Sequence, residues 1–300
     1  MKNNKLKIPK VTIIIINWNG LNDTIKCLDS LKKIKYKPIE IIVVDNGSKN
    51  KEEISVISEK YPEIRTIVNK ENLGFCKANN QGVEIALKNK TDYILFLNND
   101  TKVHPEFLNI LINYFEKNKK IGALSPIIKY SNSDRVWFGG VKFSLPLGGF
   151  ILNNKSTKLN KDNKAYDTDY ISGCCFLTKS SILKEIGMFD ESYFAYYEDA
   201  DLSFRIKKKD YQLKIVPNSI IEHEKSASAG ERGSKKLSPL QSYLFARNAI
   251  IFGKKNLKGI KLLIFLANQF TLKLFISLYN CHSLKSAKKY LLGLSNGIRR

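Results

Sequence analysis

The chain has 300 residues, of which 43% are hydrophobic and 26% are charged, a composition that excludes wholesale disorder. Its 50 lysines and arginines exceed its 28 aspartates and glutamates, for a formal net charge of +22. Fourteen of the basic residues, and no acidic ones, lie between Arg232 and Arg300. This uneven excess indicates contact with a polyanion: a membrane surface, a nucleic acid or a polyanionic substrate.

The cysteines and the N-terminus indicate a reduced environment. The 5 cysteines include no CxxC pair and are odd in number, which argues against a disulfide framework and a zinc ribbon. The N-terminal sequence MKNNKLKIPK leads into too short an apolar run before Asn17 for a signal peptide. We therefore expect a protein on the cytosolic side of the membrane.

The first hundred residues alternate apolar runs with helical periodicity. Four apolar runs predict strands: 11–16, 39–45, 64–68 and 93–97. Three stretches with three- and four-residue apolar spacing predict helices: 21–34, about 51–60 and about 76–89. This alternation predicts an α/β fold with a mostly parallel sheet covered on both faces. Ligands bind beyond the carboxyl ends of such strands, where the polar clusters Asn17–Gly20, Asp45–Ser48 and Asn98–Asp100 lie.

The rest of the chain is less regular. Residues 130–170 contain paired glycines and a polar stretch, which predict loops and short antiparallel strands that form a flap over the site. The elements expected after them are a strand at 171–178, helices at about 179–186 and 199–209, a strand at 212–216, and basic helices to the end. A Lys-, Ser- and Gly-rich loop at about 224–236 either closes over a bound diphosphate or is a solvated connection.

Two single acids stand at predicted strand ends. Asp100 closes LFLNND, where a carboxylate can hold a divalent ion that also binds substrate phosphates. The alternative is that Asp100 or Thr101 caps the helix that begins near Pro105. Asp45, in VVDNGS, either accepts hydrogen bonds from a base or ribose or caps the next helix.

Residues 171–205 are the strongest candidate for catalysis, because Glu198, Asp199 and Asp201 follow a run of aromatic residues. An acid in such surroundings can have its pKa raised towards the range of a general base. The alternative is an acid-rich helix N-terminus that the helix dipole favours. His223 follows an apolar run and is a candidate ligand for a metal or a phosphate, with a structural role as the alternative.

Five motifs, in this order and spacing, resemble glycosyltransferase family 2, and most closely its rhamnosyltransferase-like branch: NWNG at 17–20, VVDNGS at 43–48, NLGFCKANNQG at 72–82, LFLNND at 95–100 and GMFDESYFAYYEDADLSFR at 187–205. The resemblance covers about residues 10–250 and implies a GT-A fold. It implies a catalytic domain at 1–250, with a nucleotide-sugar half at about 10–125 and an acceptor half at about 126–250. A basic amphipathic helical tail occupies 251–300.

The resemblance also assigns roles to individual residues. Asp199 matches the general base, with Glu198 beside it, and a divalent cation, Mg²⁺ or Mn²⁺, is implied at Asp100 and His223. Asn98 stands where the metal motif has its first acid. Asp45 matches the acid that recognises a pyrimidine base, and Arg247 a residue that approaches the donor diphosphate. The full set of positions that match the donor site is Asn17, Asn19, Asp45, Asn72, Gly74, Asn80, Asn98, Asn99 and Arg247.

The implied activity is that of an inverting, metal-assisted hexosyltransferase. Its donor would be a dTDP- or UDP-linked sugar, with rhamnose among the candidates, and its acceptor a saccharide or lipid-linked hydroxyl in cell-envelope glycan synthesis. The alternative is a non-catalytic relative that binds nucleotide sugars or serves as a partner subunit. A pyrophosphorylase is disfavoured because no Gly-rich phosphate loop with an arginine follows the first strand. A nucleic-acid-binding module is disfavoured because no aromatic–basic RNA motif is present.

The basic tail contains a mostly apolar segment, 257–279, that includes Lys258, Lys261 and Lys273. Its longest unbroken apolar run, 262–267, is shorter than the roughly 20 residues that span a bilayer. The segment therefore predicts an interfacial helix attracted to anionic lipid, and a protein peripheral on the inner face of the cell membrane. The alternative is a helix packed on the catalytic domain or on a partner subunit. The oligomeric state stays open.

Overall fold

The structure is a computed structural model that describes residues 8–152, 164–224, 236–281 and 283–300. Part of the predicted flap, and most of the predicted loop at 224–236, lie outside the described residues.

In the described parts of the chain, ten strands form one sheet and two form a separate hairpin. The strands are β1 (Val11–Asn17), β2 (Ile39–Asp45), β3 (Arg65–Val68), β4 (Tyr93–Leu97), β5 (Thr101–Val103), β6 (Ile121–Tyr130), β7 (Val136–Phe138), β8 (Val141–Ser144), β9 (Gly149–Leu152), β10 (Tyr166–Asp167), β11 (Cys175–Lys179) and β12 (Gln212–His223). The helices are α1 (Leu21–Leu31), α2 (Glu53–Lys60), α3 (Phe75–Lys88), α4 (Phe107–Lys117), α5 (Ser180–Ile186), α6 (Glu198–Lys208), α7 (Pro239–Asn256), α8 (Gly259–Phe270), α9 (Leu272–Tyr279) and α10 (Leu284–Arg299).

The sheet has a parallel half and a mixed half. Its order is β10-β12-β6-β11-β4-β1-β2-β3, with β5 paired to β12 and β7 to β6, while β8 and β9 form the hairpin. The strands β3, β2, β1 and β4 run parallel. Beyond them β11 runs antiparallel to both β4 and β6, and β6 and β12 are again parallel. This arrangement confirms the predicted α/β class.

Both faces of the central strands are covered, which explains their uninterrupted apolar sequences. In β1, Ile13 and Ile15 join one buried cluster, whereas Ile14 between them joins a second cluster. In β4, Leu95 and Phe96 divide between the same two clusters. Because successive side chains of a strand point to opposite faces, the two clusters are two core layers with the sheet between them.

The last strand is longer than the sequence predicts. β12 continues beyond the predicted end at 216 to His223, with irregular register between Val216 and Ile220. Its extension pairs with β5, and His223 lies opposite Thr101. This pairing brings a histidine from late in the chain to the end of β4.

Neither aspartate at a strand end caps a helix, so both capping alternatives are wrong. The chain after Asp100 enters β5 at Thr101, and the N-cap of α4 is Glu106. The N-cap of α2 is Glu52, while the Asp45 carboxylate accepts hydrogen bonds from nearer groups.

The C-terminal helices pack on the domain. α7 continues through residue 250, where the sequence suggests the start of the tail. α10 approaches α7 so closely that a Cβ on Gly293 would lie 2.4 Å from the carbonyl oxygen of Tyr243. Phe265 of α8 is buried against Phe252. The alternative of packing on the catalytic domain is therefore realised by α10 and by one face of α8.

The other face of α8 and α9 is apolar and exposed. Gly259–Tyr279 is long and apolar enough to cross a membrane by length and composition alone, and 11% of its most apolar window is buried. The criterion of an unbroken apolar run misses this property. The helical stretch breaks at Thr271, whose φ of −119° and ψ of −97° are not helical.

Candidate active site

The end of β1 holds the end of β2. Asn17 and Asp45 are register partners in the parallel pair, and the Asn17 amide donates to Asp45 Oδ1 and to Glu53 Oε2, both at 2.9 Å. Ser48 Oγ donates to the same Asp45 oxygen at 2.5 Å. All four side chains are buried. Asn17 therefore fixes the position of the Asp45 carboxylate, the group that the resemblance assigns to recognition of the nucleotide's pyrimidine base.

The motif at 72–82 ties β2 to the segment before α6. Asn72 Oδ1 accepts from the Asn46 amide and from Gly74 N–H, both at 2.9 Å. Gly74 has a φ of +85°, and a Cβ there would lie 2.6 Å from the carbonyl oxygen of Phe194. That carbonyl accepts from Phe75 N–H at 2.7 Å. Only glycine allows this close approach without strain.

The Asn80 side chain faces the segment that carries the second half of the site. Its Oδ1 accepts from Phe189 N–H at 3.0 Å, and its amide donates to the Phe189 carbonyl and to Glu191 Oε1. The structure thus shows Asn80 as a link between α3 and the loop at 189–191.

The remaining asparagines lie in the loops after β1 and β4. Asn19 accepts from Lys49 N–H at 2.8 Å, and Asn99 donates to Thr24 Oγ1 at 2.9 Å. Asn98 is half-buried, and its N–H donates to the Cys174 carbonyl at 2.8 Å. These contacts hold the three loops at the carboxyl edge of the sheet in fixed positions.

Asp100 and His223 form a buried pair. Nε2 of His223 lies 3.1 Å from Oδ1 of Asp100, with side chains 7% and 6% exposed respectively. The Asp100 carbonyl accepts from Glu224 N–H at 2.8 Å, and the Trp137 ring packs edge-on against the imidazole at 4.5 Å. The pairing of β5 with β12 is what brings the two residues together.

This pair suits a divalent cation. Adjacent ligands of an octahedral ion with metal–ligand distances of about 2.1 Å lie about 3 Å apart, which matches the separation of Asp100 Oδ1 and His223 Nε2. Nδ1 of His223 is buried without a hydrogen-bond partner in the described residues. The same residues contain no group of three or more His, Cys, Asp or Glu side chains that could hold a metal. The other ligands would come from substrate phosphates and water.

Asp199 lies in the first turn of α6, and its carboxylate is held by the loop between β10 and β11. Oδ2 accepts from the Tyr170 hydroxyl at 2.7 Å and from Gly173 N–H at 2.9 Å. Burial raises the pKa of Asp199 above its ordinary value of 3.8. A fixed carboxylate with increased basicity has the properties of a general base.

Glu198 is the more deeply buried of the two neighbouring acids. Burial, followed by the charge of Asp199, raises the pKa of Glu198 well above 4.5. Its Oε2 has no hydrogen-bond partner in the described part of the chain. Two adjacent carboxyls in a low-dielectric site do not both ionise readily, so Glu198 holds a proton more readily than Asp199 does.

The turn before α6 is strained and is held by α7. Tyr196 and Tyr197 have φ values of 71° and 74°, which cost free energy in residues with a Cβ. The buried Asn248 amide donates to the carbonyls of Ala195 and Tyr196 at 2.8 and 2.7 Å. These bonds fix the backbone that leads into Glu198 and Asp199.

Arg247 contacts residues of its own helix and of the segment before α6. It is buried, with Nε 2.9 Å from Asn248 Oδ1 and Nη2 3.2 Å from the Ser192 carbonyl oxygen, and it lies over the Tyr243 ring. In the structure it supports Asn248 and the segment before α6, and no described contact joins it to the donor-site residues above.

The two acidic centres lie near one another across residues 173 and 174. Gly173 N–H binds Asp199, and the Cys174 carbonyl binds Asn98 N–H. Burial, with the charges of Asp100 and Asp199, raises the pKa of the Cys174 thiol well above 9.0. Gly173 and Cys174 therefore join the Asp199 carboxylate to the loop that carries Asp100.

Two cavities open at these centres. One of about 690 Å³ has Asp100, Lys26 and Glu224 in its wall. The other, of about 400 Å³, contains Asp199 and is lined by residues of α6 to α10 and of the β8–β9 hairpin. Both volumes are of the size that binds small molecules.

The sequence pattern missed several residues that shape the site. Tyr170 and Asn248 are 29 and 49 positions from Asp199, and no local spacing predicts these contacts. Thr24, Ser48 and Glu53 complete the network around Asn17. Ser48 lies within the VVDNGS motif, which was the one available signal.

The architecture is that of the GT-A fold. S. aureus TarS (residues 1–349) in complex with UDP-GlcNAc superposes with a TM-score of 0.64 at 17% identity, over 97% of this chain and 81% of that one. A mannosyltransferase from Pyrobaculum calidifontis, solved with GDP-Man and Mn²⁺, superposes with a TM-score of 0.60 at 16% identity, over 97% and 81%. These likenesses establish the fold.

The chain belongs to glycosyl transferase family 2, whose family model matches residues 12–187. It is 25% identical over 230 residues to the N-acetylglucosaminyl-diphospho-decaprenol L-rhamnosyltransferase of Mycobacterium tuberculosis, a match over 70% of this chain and 75% of the relative. It is 31% identical over 211 residues to an uncharacterized glycosyltransferase of Rickettsia typhi, over 66% and 58%. The protein is a glycosyltransferase, as the motifs predict.

Replacing Asn248 by alanine is expected to destabilise the protein markedly. The change removes the partner of two partly buried carbonyls of a strained turn and of the buried Arg247 Nε–H, and an unsatisfied buried group costs about 1–3 kcal/mol. Urea unfolding measures the effect, with Asn296→Ala as the matched control because Asn296 makes one partly buried bond to Tyr243. Equal, small losses in both variants would contradict the role given to Asn248.

The Glu198→Gln variant tests the buried acid through its pH dependence. The folded state keeps the Glu198 proton where the unfolded chain has lost it, so this stability is present below the ordinary pKa of 4.5 and is lost as pH rises through the folded pKa. Glutamine does not ionise. We expect the free energy of unfolding of the variant to gain on that of the wild type from about pH 5 upward. Urea unfolding at a series of pH values measures the difference, and a pH-independent difference would contradict the shift.

Proposed function

We propose that this glycosyltransferase inverts the anomeric carbon of its donor, with Asp199 as the general base. The observation that supports the proposal is the position of the Asp199 carboxylate, which is fixed by Tyr170 and Gly173 in the wall of a 400 Å³ cavity. Asp199 accepts the proton of the acceptor hydroxyl as its oxygen attacks the anomeric carbon. As the bond from the anomeric carbon to the nucleoside diphosphate breaks, positive charge develops on the sugar in an oxocarbenium-like transition state, as in glycoside hydrolysis.

The donor nucleotide lies along the carboxyl ends of β1, β2 and β4. Asp45, held by Asn17, accepts hydrogen bonds from the base, and Asp100 with His223 faces the diphosphate. A divalent cation bound by this pair would stabilise the negative charge of the leaving nucleoside diphosphate. The complexes of two structural neighbours with Mn²⁺ and a nucleotide or nucleotide sugar support a cation in this class of site. In this proposal Arg247 supports Asn248 and the segment before α6 and does not contact the donor.

The donor is a dTDP- or UDP-linked sugar, with rhamnose as the first candidate, and the acceptor is a lipid-linked saccharide of the cell envelope. The mycobacterial relative supports rhamnose as the transferred sugar and a lipid-linked acceptor, since its name describes an L-rhamnosyl transfer to a lipid-linked diphosphate. The acceptor half comprises about residues 126–250 together with the packed C-terminal helices, because these helices line the cavity of Asp199.

The protein is peripheral on the cytoplasmic face of an anionic membrane. The exposed face of α8 and α9 carries large apolar side chains, with Phe275 76% and Tyr279 82% exposed, in a region that holds 14 basic residues and no acid. Apolar insertion and attraction to anionic lipid act together on such a surface. Gln269, which donates to the Gly148 carbonyl at 2.8 Å, anchors the stretch to the domain and favours surface attachment over a span.

Asp199→Asn is expected to lower transfer at least about 100-fold while nucleotide binding stays within twofold, because the variant loses the base and keeps the shape. The measurement is steady-state transfer together with calorimetric binding of UDP or dTDP. Asp190→Asn is the matched control, since Asp190 pairs with Lys255 on the surface of the same segment. Full activity in Asp199→Asn would overturn the base assignment and would favour another residue or a non-catalytic relative.

Phe275→Asp is expected to reduce sedimentation with anionic vesicles more than tenfold at low salt, because it places a charge on the apolar face of a basic surface. Vesicles of phosphatidylglycerol and phosphatidylcholine, compared with phosphatidylcholine alone, provide the measurement. Val56→Asp, a similar change on an exposed position of α2, is the control. Wild-type protein that does not bind the anionic vesicles would contradict the membrane proposal.

A further inference from the structure

We propose that Lys273 binds the phosphate groups of the acceptor, in the same cavity whose wall holds Asp199. The proposal rests on the proposed function, and it assigns to the C-terminal helices a direct part in choosing the acceptor. The cavity then selects substrates in which a sugar is joined to an apolar chain through a diphosphate.

Lys273 lies on the face of α9 that lines the cavity. Lys273 and Ser277 are four residues apart on one helical face, and both line the cavity. Phe275 and Tyr279, at the positions between and beyond them, are exposed. α9 therefore presents polar groups to the cavity and apolar groups to the outside.

The cavity wall carries one basic side chain, Lys273, among the described residues. Lys273 is the only lysine or arginine among its lining residues in the described chain, and no described acidic residue pairs with its ammonium group. Burial lowers the pKa of Lys273. A half-buried ammonium without an acidic partner is costly, and an anionic ligand would remove that cost.

The β8–β9 hairpin lies beside Lys273 and is held in place by α8. Nζ of Lys273 lies 3.8 Å from the position that a Cβ on Gly149 would occupy. Gly148, the preceding residue, is held to α8 through its carbonyl by Gln269. The ammonium group of Lys273 therefore lies beside the hairpin, whose position is fixed by α8.

Much of the remaining cavity wall is aromatic. Besides Asp199, the wall presents aromatic side chains that suit the apolar face of a sugar ring: Phe150, Tyr170, Tyr197, Phe245 and Tyr290. Asp199 would then face the acceptor hydroxyl and the aromatic side chains the sugar ring. Lys273 would face the diphosphate, and the exposed apolar side of α9 the lipid chain. Phosphate esters of a membrane headgroup offer the same anionic chemistry, so the experiment must separate the two sources.

The test compares two acceptors of the same sugar: one joined through a diphosphate to a farnesyl chain, the other an octyl glycoside without phosphate. For Lys273→Met we expect KM for the diphosphate acceptor to rise about 10- to 100-fold, the loss of one charge-assisted hydrogen bond. KM for the octyl glycoside and for the donor should stay within twofold, and Lys273→Arg should restore most of the loss. Lys261→Met, an exposed lysine of α8, is the matched control.

Donor hydrolysis and vesicle binding separate the possible failures. Hydrolysis of the donor without acceptor tests the proposed function and does not involve Lys273. An equal rise in KM for both acceptors, or no rise for either, would overturn the proposal. Loss of binding to phosphatidylglycerol vesicles in Lys273→Met, with unchanged acceptor KM, would assign the residue to lipid headgroups instead. An unchanged thermal midpoint of unfolding shows that the variant is folded.

Discussion

The arrangement of the site depends on the short segment from Tyr170 to Cys174, which crosses between the two acidic centres. Tyr170 and Gly173 hold the Asp199 carboxylate, and the next carbonyl, that of Cys174, holds the loop that carries Asn98 and Asp100. Two adjacent residues thus couple Asp199, the proposed general base, to the loop that carries Asp100. Because β11 begins only at Cys175 and pairs directly with β4, the sheet itself fixes this spacing, as a preorganised site requires.

The parts of the site that belong to parallel strands were predictable from sequence, since the carboxyl ends of such strands meet at one edge. This rule places Asp45 and Asp100 at one edge of the sheet, and the structure confirms that position. The pairing of β5 with β12, which carries His223 to Asp100, was not predictable, because β5 is three residues long and its partner is over a hundred residues away. The contact of Tyr170 with Asp199 likewise results from tertiary packing, and the spacing of residues in the sequence does not predict it.

The C-terminal helices have structural features of both alternatives that the sequence left open. One side packs on the domain through α7, Phe265 and Gln269, and the other side exposes apolar residues among basic ones. The cavity that Asp199 lines is also lined by residues of α8 and α9, so the proposed lipid contact lies beside the proposed general base. An acceptor that is itself anchored in the membrane would then reach Asp199 without leaving the bilayer surface.

The stereochemistry of transfer is the most direct test of the central claim, that Asp199 activates the acceptor for a single displacement. The measurement is the anomeric configuration of the product by proton NMR, compared with that of a dTDP- or UDP-sugar donor that the enzyme accepts. A single displacement with Asp199 as base predicts inversion, so that an α-linked donor gives a β-linked product and a β-linked donor an α-linked one. Retention of configuration would contradict the account.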